Sequence, residues 1–166
     1  MANTNSNVYA NLIASPATMN DVGQYGGRVR RIADAFELAA VDFDADGDTI
    51  TLCRLRGNVR IKSIMLSHDA MDSGATVLLN CGLYNTDGSI ISETTYASAV
   101  NVQAAGKNVE IVNEARNIDE TGNAIWQDAG ATSDLGVFYD VVLTVTAANA
   151  GAQAGTIAFE LEYTVD

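Results

Sequence analysis

Thr49-Ile50-Thr51-Leu52-Cys53-Arg54-Leu55-Arg56-Gly57-Asn58-Val59-Arg60-Ile61-Lys62-Ser63-Ile64-Met65-Leu66 is the stretch on which the fold turns. Apolar residues alternate with polar ones on both sides of Gly57-Asn58, the two-residue period of strands with one dry face. Read as a hairpin closed by the three-residue loop Arg56-Gly57-Asn58, it pairs Leu55 with Val59 and Cys53 with Ile61, giving one shared apolar face. A two-residue loop instead sets Arg56 beside Val59 and mixes charge into that face. Continuing the ladder places Leu52 opposite Lys62 and Ile50 opposite Ile64, with Ile50, Leu52, Ile64 and Leu66 on the other face. Both arms change their apolar side at the same level, as strands do at a corner or where they pass from one packing layer to another. The same register sets Arg54 opposite Arg60, a like-charge pair that calls for an anion nearby, either the acidic turn at Asp42 to Asp48 or a partner's carboxylates.

Working outward, Ile157, Phe159, Leu161, Tyr163 and Val165 alternate with Ala158, Glu160, Glu162 and Thr164. Val77, Leu79, Cys81 and Leu83 repeat the pattern, as do Tyr139, Val141, Leu143 and Val145. Turn residues separate these runs at Asp46-Gly47, Gly57-Asn58, Asp72-Ser73-Gly74, Asp87-Gly88 and Ala150-Gly151, and short strands at such spacing predict an antiparallel sandwich or barrel. Arg28 to Ala40 is ambiguous, since Val29, Ile32, Phe36 and Ala39 fit a helix while a sheet context overrides that spacing, and it is read as a further strand. Helix is scarce: Ile111, Ala115 and Ile118 suggest one over 108–118, and Asn123 to Asp128 a single turn. Residues 1–27, rich in Asn, Ser, Ala and Thr, show neither period and read as an extended N-terminal arm ending at the Gly26-Gly27 joint. Val8, Tyr9, Leu12 and Ile13 suit an arm that docks on its own sheet or on a neighbour. Residues 28–166 are the β domain.

The 166 residues carry 9 Lys plus Arg against 21 Asp plus Glu, a net charge of −12. With 48% apolar and 18% charged residues, the chain can bury a core. Its charge argues against a nucleic-acid partner, which needs a basic footprint. No apolar run reaches the ~20 residues that cross a bilayer, and no basic-then-apolar leader is present at Met1 to Asn7, so membrane insertion and classical secretion are not expected. Cys53 and Cys81 lack the spacing of a zinc site and read as free buried thiols of a reducing compartment.

The sharpest local motif is Asp42-Phe43-Asp44-Ala45-Asp46-Gly47-Asp48. Asp42, Asp44 and Asp46 with Gly47 match the first half of a calcium loop, and Asp48 adds a fourth carboxylate. The second half fails, because position twelve is Cys53 rather than a bidentate Glu. The competing reading is a solvated acidic turn, so Ca2+ is a minor expectation and no other cofactor is expected. Ser67-His68-Asp69 are sequence neighbours rather than a triad converging from separate segments, and read as a polar loop after a strand. A single histidine makes a zinc hydrolase untenable, and no carboxylate pair or phosphate-cradling glycine loop stands out. Trp126 reads as a core anchor. No catalytic residue is expected, and the chain does not read as an enzyme.

The runs Gly26-Gly27-Arg28-Val29-Arg30, Gly47 to Leu55 leading through Gly57 into Val59-Arg60-Ile61, and Ser67-His68-Asp69-Ala70 form one familiar series. Ala124 to Gly130, Tyr139 to Thr146 and Ala154-Gly155-Thr156-Ile157 form another. Over residues 26–166 the chain resembles small structural proteins of tailed-bacteriophage virions, of the head decoration or cement type. It departs from them in lacking a proline at Arg56-Gly57 and another at Ser133 to Gly136. The resemblance implies a jelly-roll-like β-sandwich on the outer face of a capsid, made in the host bacterial cytoplasm, bound to the major capsid protein and self-associated. Capsid threefold positions make a homotrimer the expected form. The alternatives are a connector or tail structural protein, or a jelly-roll receptor- or carbohydrate-binding module of the virion.

Overall fold

The alternating runs become pleat, and the pleat decides which side chains are dry. In the computed structural model, which describes residues 7–19, 27–73, 77–147 and 151–165, eight strands form. They are β1 (Val29–Leu38), β2 (Thr49–Arg56), β3 (Val59–His68), β4 (Leu78–Asn85), β5 (Ile90–Asn101), β6 (Gly106–Glu110), β7 (Phe138–Ala147) and β8 (Gly155–Val165). Two four-stranded antiparallel sheets result, ordered β1-β8-β3-β6 and β2-β7-β4-β5. This is an eight-stranded jelly roll. Of the paired neighbours only β4 and β5 are consecutive, joined through Asp87-Gly88 with Gly88 at a left-handed φ of 85°.

The expected β2–β3 hairpin does not form. Gly57-Asn58 instead carries the chain from one sheet to the other, so Leu55 faces Tyr139 and Cys53 faces Val141 on β7, while Val59 and Ile61 face Val165 and Tyr163 on β8. Alternation demands an apolar layer opposite each strand and is silent on which strand lies beside it. The crossing is crowded: a Cβ on Gly57 would come within 3.2 Å of both Asp134 Oδ1 and Tyr139 Cε2. The change of apolar side is real but has a separate cause in each strand. Leu52 is an extra residue between Thr51, opposite Val142, and Cys53, opposite Val141. Lys62 is another, between Ile61, opposite Tyr163, and Ser63, opposite Glu162. One inserted residue reverses the alternation, so Ile61 and Ile64 both point inward and are fully buried.

Of Arg28 to Ala40, Val29–Leu38 is strand as expected while Ala40–Asp42 forms a short 3-10 turn, and α2 (Ile125–Asp128) is the anticipated single turn, with Gln127 Oε1 accepting the Ala124 N–H at 2.8 Å. The helix expected over 108–118 is absent. β6 occupies its first part, and the Ile111 N–H donates to Ile64 O at 2.9 Å, so the free edge of β3 supplied the backbone partners a helix would have needed. Within the arm, expected to be extended, Asn7–Ile13 forms a short helix, α1. The Gly26 part of the joint, and Gly74 and Ala150 of the expected turns, lie outside the described residues.

The core lies between the sheets, with Tyr96, Phe43, Ile61, Ile64, Leu66, Leu79, Leu83 and Leu143 among the fully buried side chains. β4 and β7 are buried along nearly their whole length, and β5 folds back over β4. Cys81 faces Ala97 while Leu83 faces Ser92, so five steps of β5 run beside two of β4. The excess turns Tyr96 into the core and lays the Ser92–Glu93 backbone where a Gly82 side chain would stand.

Candidate interaction surfaces

The residues singled out by chemistry are scattered. Asp42, Asp44 and Asp46 are exposed and Asp48 is half-buried. Asp42 Oδ2 accepts the Ala39 N–H and Asp48 Oδ2 the Ala45 N–H, each at 2.8 Å, so two of the four carboxylates tie their own turn. The turn is anchored to β7 by Gly47 N–H to Val145 O at 2.8 Å. Among the described residues no group of three or more His, Cys, Asp or Glu is placed to hold a metal ion.

His68 is not in a polar loop: it ends β3, only 6% exposed, packed against Gly106 of β6, with Nδ1 2.9 Å from Asp69 O. Asp69 turns elsewhere and accepts the Thr156 N–H at 3.0 Å. Trp126 is half-buried against the core, and its backbone N–H donates to Gly57 O at 3.1 Å. Both cysteines are free. Burial, with help from Asp140, pushes the Cys53 thiol up to about 12, and burial raises the Cys81 thiol as well.

The expected Arg54–Arg60 pair is also replaced, since those residues sit in different sheets. Arg54 forks onto Asp140 of the adjacent strand, Nε to Oδ1 at 2.6 Å and Nη2 to Oδ2 at 2.8 Å, and Arg60 Nη1 donates to Gly122 O. The counter-charge of Arg54 is therefore Asp140 of its own sheet rather than the acidic turn. Asp140 was illegible as a partner because the pairing of β2 with β7 spans 86 residues.

Sequence reasoning passed over a buried charge network. Arg116 Nη2 lies 2.8 Å from Asp128 Oδ2, with the side chains 2% and 4% exposed. Arg116 Nη1 donates to Ile61 O at 3.1 Å, its guanidinium sits 5.6 Å from the Tyr96 ring centroid, and the Tyr96 hydroxyl donates to Asp128 Oδ2 at 3.2 Å. Burial pushes the Asp128 carboxyl up from its ordinary value and Arg116 pulls it back. The network clamps the segment after β6 and α2 onto β3. It is sealed from solvent, so its part is architectural.

The exposed apolar residues are the remaining candidates. Leu135, Val137 and Phe138 are 72%, 41% and 52% exposed and line an open depression of about 630 Å³ with Asp87 and Arg54. Gly136, at a left-handed φ of 68°, turns this loop outward beside the Arg56 guanidinium. A run of Leu, Val and Phe just outside a strand's alternation is the signal that marks it in the sequence. On α1, Tyr9 and Ile13 lie four residues apart on one helix face and are 53% and 57% exposed. Clustered apolar exposure of this kind marks contact with another molecule.

No protein-family model and no curated protein matches the chain. Solved structures do. One chain of the capsid asymmetric unit of cyanophage Pam1 aligns over 100% of both chains with a TM-score of 0.53 and 18% identity. A chain of the capsid of Ralstonia phage GP4 aligns over 82% of this chain and 85% of its own, with a TM-score of 0.55 and 25% identity. Both of these structural neighbours are chains of phage capsids, and they support the reading of the protein as a structural component of a phage virion.

Proposed function

We propose that this chain decorates the outer face of a phage capsid, bound to the major capsid protein as a homotrimer, and holds the shell together mechanically rather than by catalysis. The observation that carries the reading is the end-to-end match of its jelly roll to a chain of a phage capsid asymmetric unit. Two features of the molecule agree. A net charge of −12 is repelled by packaged DNA and suits the outside of the shell. The exposed apolar residues of α1 and of the Leu135–Phe138 loop offer surface for contact with another molecule.

The mechanism follows from loading. Pressure from packaged DNA strains the junctions between capsomers, and a protein spanning a junction adds contact energy that expansion must break. Each contact need not be strong, because a trimer holding several at once re-forms a lost one at high effective concentration. Closed threefold symmetry also stops growth of the oligomer beyond the site it fits.

The test is binding of purified protein to expanded empty shells, comparing the full chain with a form beginning at Gly26. The full chain is expected to saturate at hundreds of copies per shell, with the shortened form dissociating faster. Saturation near a dozen copies would indicate a connector position, and no binding to shells would overturn the proposal.

A further inference from the structure

β1 is a ten-residue strand at the rim of its sheet, paired with β8 on one side only, and among the described residues no strand covers its other side. A long free edge without a bulge, as the unbroken register with β8 shows, is a template for another strand. Its charges are segregated: Arg28, Arg30 and Arg31 lie at the start, Asp34 and Glu37 further on. Arg31 is engaged by Glu160 at 2.6 Å, whereas Arg30 is exposed and has no ion-pair partner among the described residues. Ile32 and Phe36, on the core-facing row, are only half-buried, so the sandwich is open along this rim.

We propose that β1 pairs antiparallel with β1 of a second copy, about a two-fold axis through Ile32. Sheet continuity selects the register. Opposed residues must share a face, so paired residue numbers sum to an even value. A pairing centred on Arg31 sets two Arg31 side chains against each other, one centred on Ala33 sets Ile32 against Asp34, and one centred on Asp34 sets Asp34 against itself. Centring on Ile32 places Arg30 opposite Asp34 of the second copy, and Asp34 opposite its Arg30, with Ile32 against Ile32 between them. That register alone gives two opposite-charge pairs, no like pair and an apolar centre. It joins two four-stranded sheets into one of eight strands and covers the open rim at Ile32. Two copies that each carry −12 can approach here because the edge supplies its own basic half. The contact deepens the proposed self-association: closed trimers at threefold positions become linked to one another across two-fold positions. It requires no particular place in the virion.

The full chain, Arg30→Asp, Asp34→Arg and the Arg30→Asp/Asp34→Arg exchange are compared by sedimentation over a concentration series, with circular dichroism to show that each is folded. Both substitutions are at exposed positions. Each single reversal is expected to weaken the two-fold step by about tenfold or more, and the exchange to restore it, because opposed charge pairs become like pairs and then opposed again. A register-specific measurement accompanies it. Directly opposed strand residues stand within disulfide reach, so Ile32→Cys is expected to cross-link two copies on mild oxidation while Phe36→Cys is not. Association unchanged by the single reversals, an exchange variant as weak as either single, a wild-type chain that does not self-associate, or cross-linking at Phe36 instead of Ile32 each overturns the proposal. Loss of shell binding with this pattern intact would instead count against the decoration reading alone.

Discussion

Asp128→Asn removes the carboxylate paired with the buried Arg116 guanidinium while keeping the shape of the side chain. Arg116 is then left with the Ile61 and Asn123 carbonyls at 3.1 and 3.4 Å, in a site where its side chain is 2% exposed. Breaking a buried pair from one side costs about 3–5 kcal/mol, because the remaining charge is not rehydrated. In a chain of this length 1 kcal/mol moves the melting temperature by about 2–4 °C, so a fall of about 6–20 °C is expected in calorimetry or a circular-dichroism melt. Replacing both partners, Arg116→Met with Asp128→Leu, is expected to fall within about 1 kcal/mol of the wild type. The reason is that burial already holds the Asp128 carboxyl above its ordinary value despite Arg116, which means the pair does not recover its full desolvation cost. Arg116→Met alone removes that pull and raises the carboxyl further. A carboxyl raised in the folded state contributes its stability fully below the unfolded value of 3.8 and loses it as pH rises through the folded value. The Met variant is therefore least impaired in acid and most impaired at neutral pH. An Asn variant that loses less than about 1 kcal/mol, or a double variant as unstable as the singles, would refute the reasoning.

Gly82→Ala drives a Cβ into the Ser92 and Glu93 backbone, and urea unfolding is expected to show a loss of up to about 3 kcal/mol, whereas Gly130→Ala meets no neighbouring atom and suffers only from its left-handed φ of 74°. Leu135→Ser with Phe138→Ser, at two exposed positions, is expected to leave the melting temperature nearly unchanged while weakening binding to shells; equal binding would remove this loop from the interface. The Cys53 thiol, held at about 12 against 9.0 when unfolded, keeps its proton where the unfolded chain has lost it, so stability should decline from pH 9.0 towards 12. The decline should be shallower in Cys53→Val, and a native chain that reacts with Ellman's reagent as fast as the unfolded one would contradict the buried thiol. Calcium, or a chelator, is expected to leave the melting temperature unmoved, since Asp42 and Asp48 already serve their own turn's amides; a rise of several degrees with calcium would restore the metal reading.

The strands were legible because alternation is local. β7 and β8 fall where polar and apolar residues interchange, and Asp46-Gly47 and Asp87-Gly88 are turns at which glycine takes up a left-handed φ of 90° and 85°. Their pairing was not legible. The hairpin reading of Thr49 to Leu66 used every local signal correctly and still joined two strands that belong to different sheets. The bulges at Leu52 and Lys62 looked like one corner because they fall at the same distance from Gly57. Helical spacing over 108–118 lost to the unfilled backbone groups of β3, a competition visible only once β3 has a place.

Composition and period alone established an acidic, strand-built domain with two free thiols, Cys81 buried and Cys53 half-buried, and one short helical turn before β7, because burial, charge and the two-residue pleat act over a few neighbouring residues. Which strands lie side by side, which carboxylate answers Arg54, how Arg116 came to rest inside, and which apolar residues were left facing outward were decided only by the closed jelly roll. Those are contacts between residues tens of positions apart, chosen by the packing of whole sheets, and no window of sequence contains both partners.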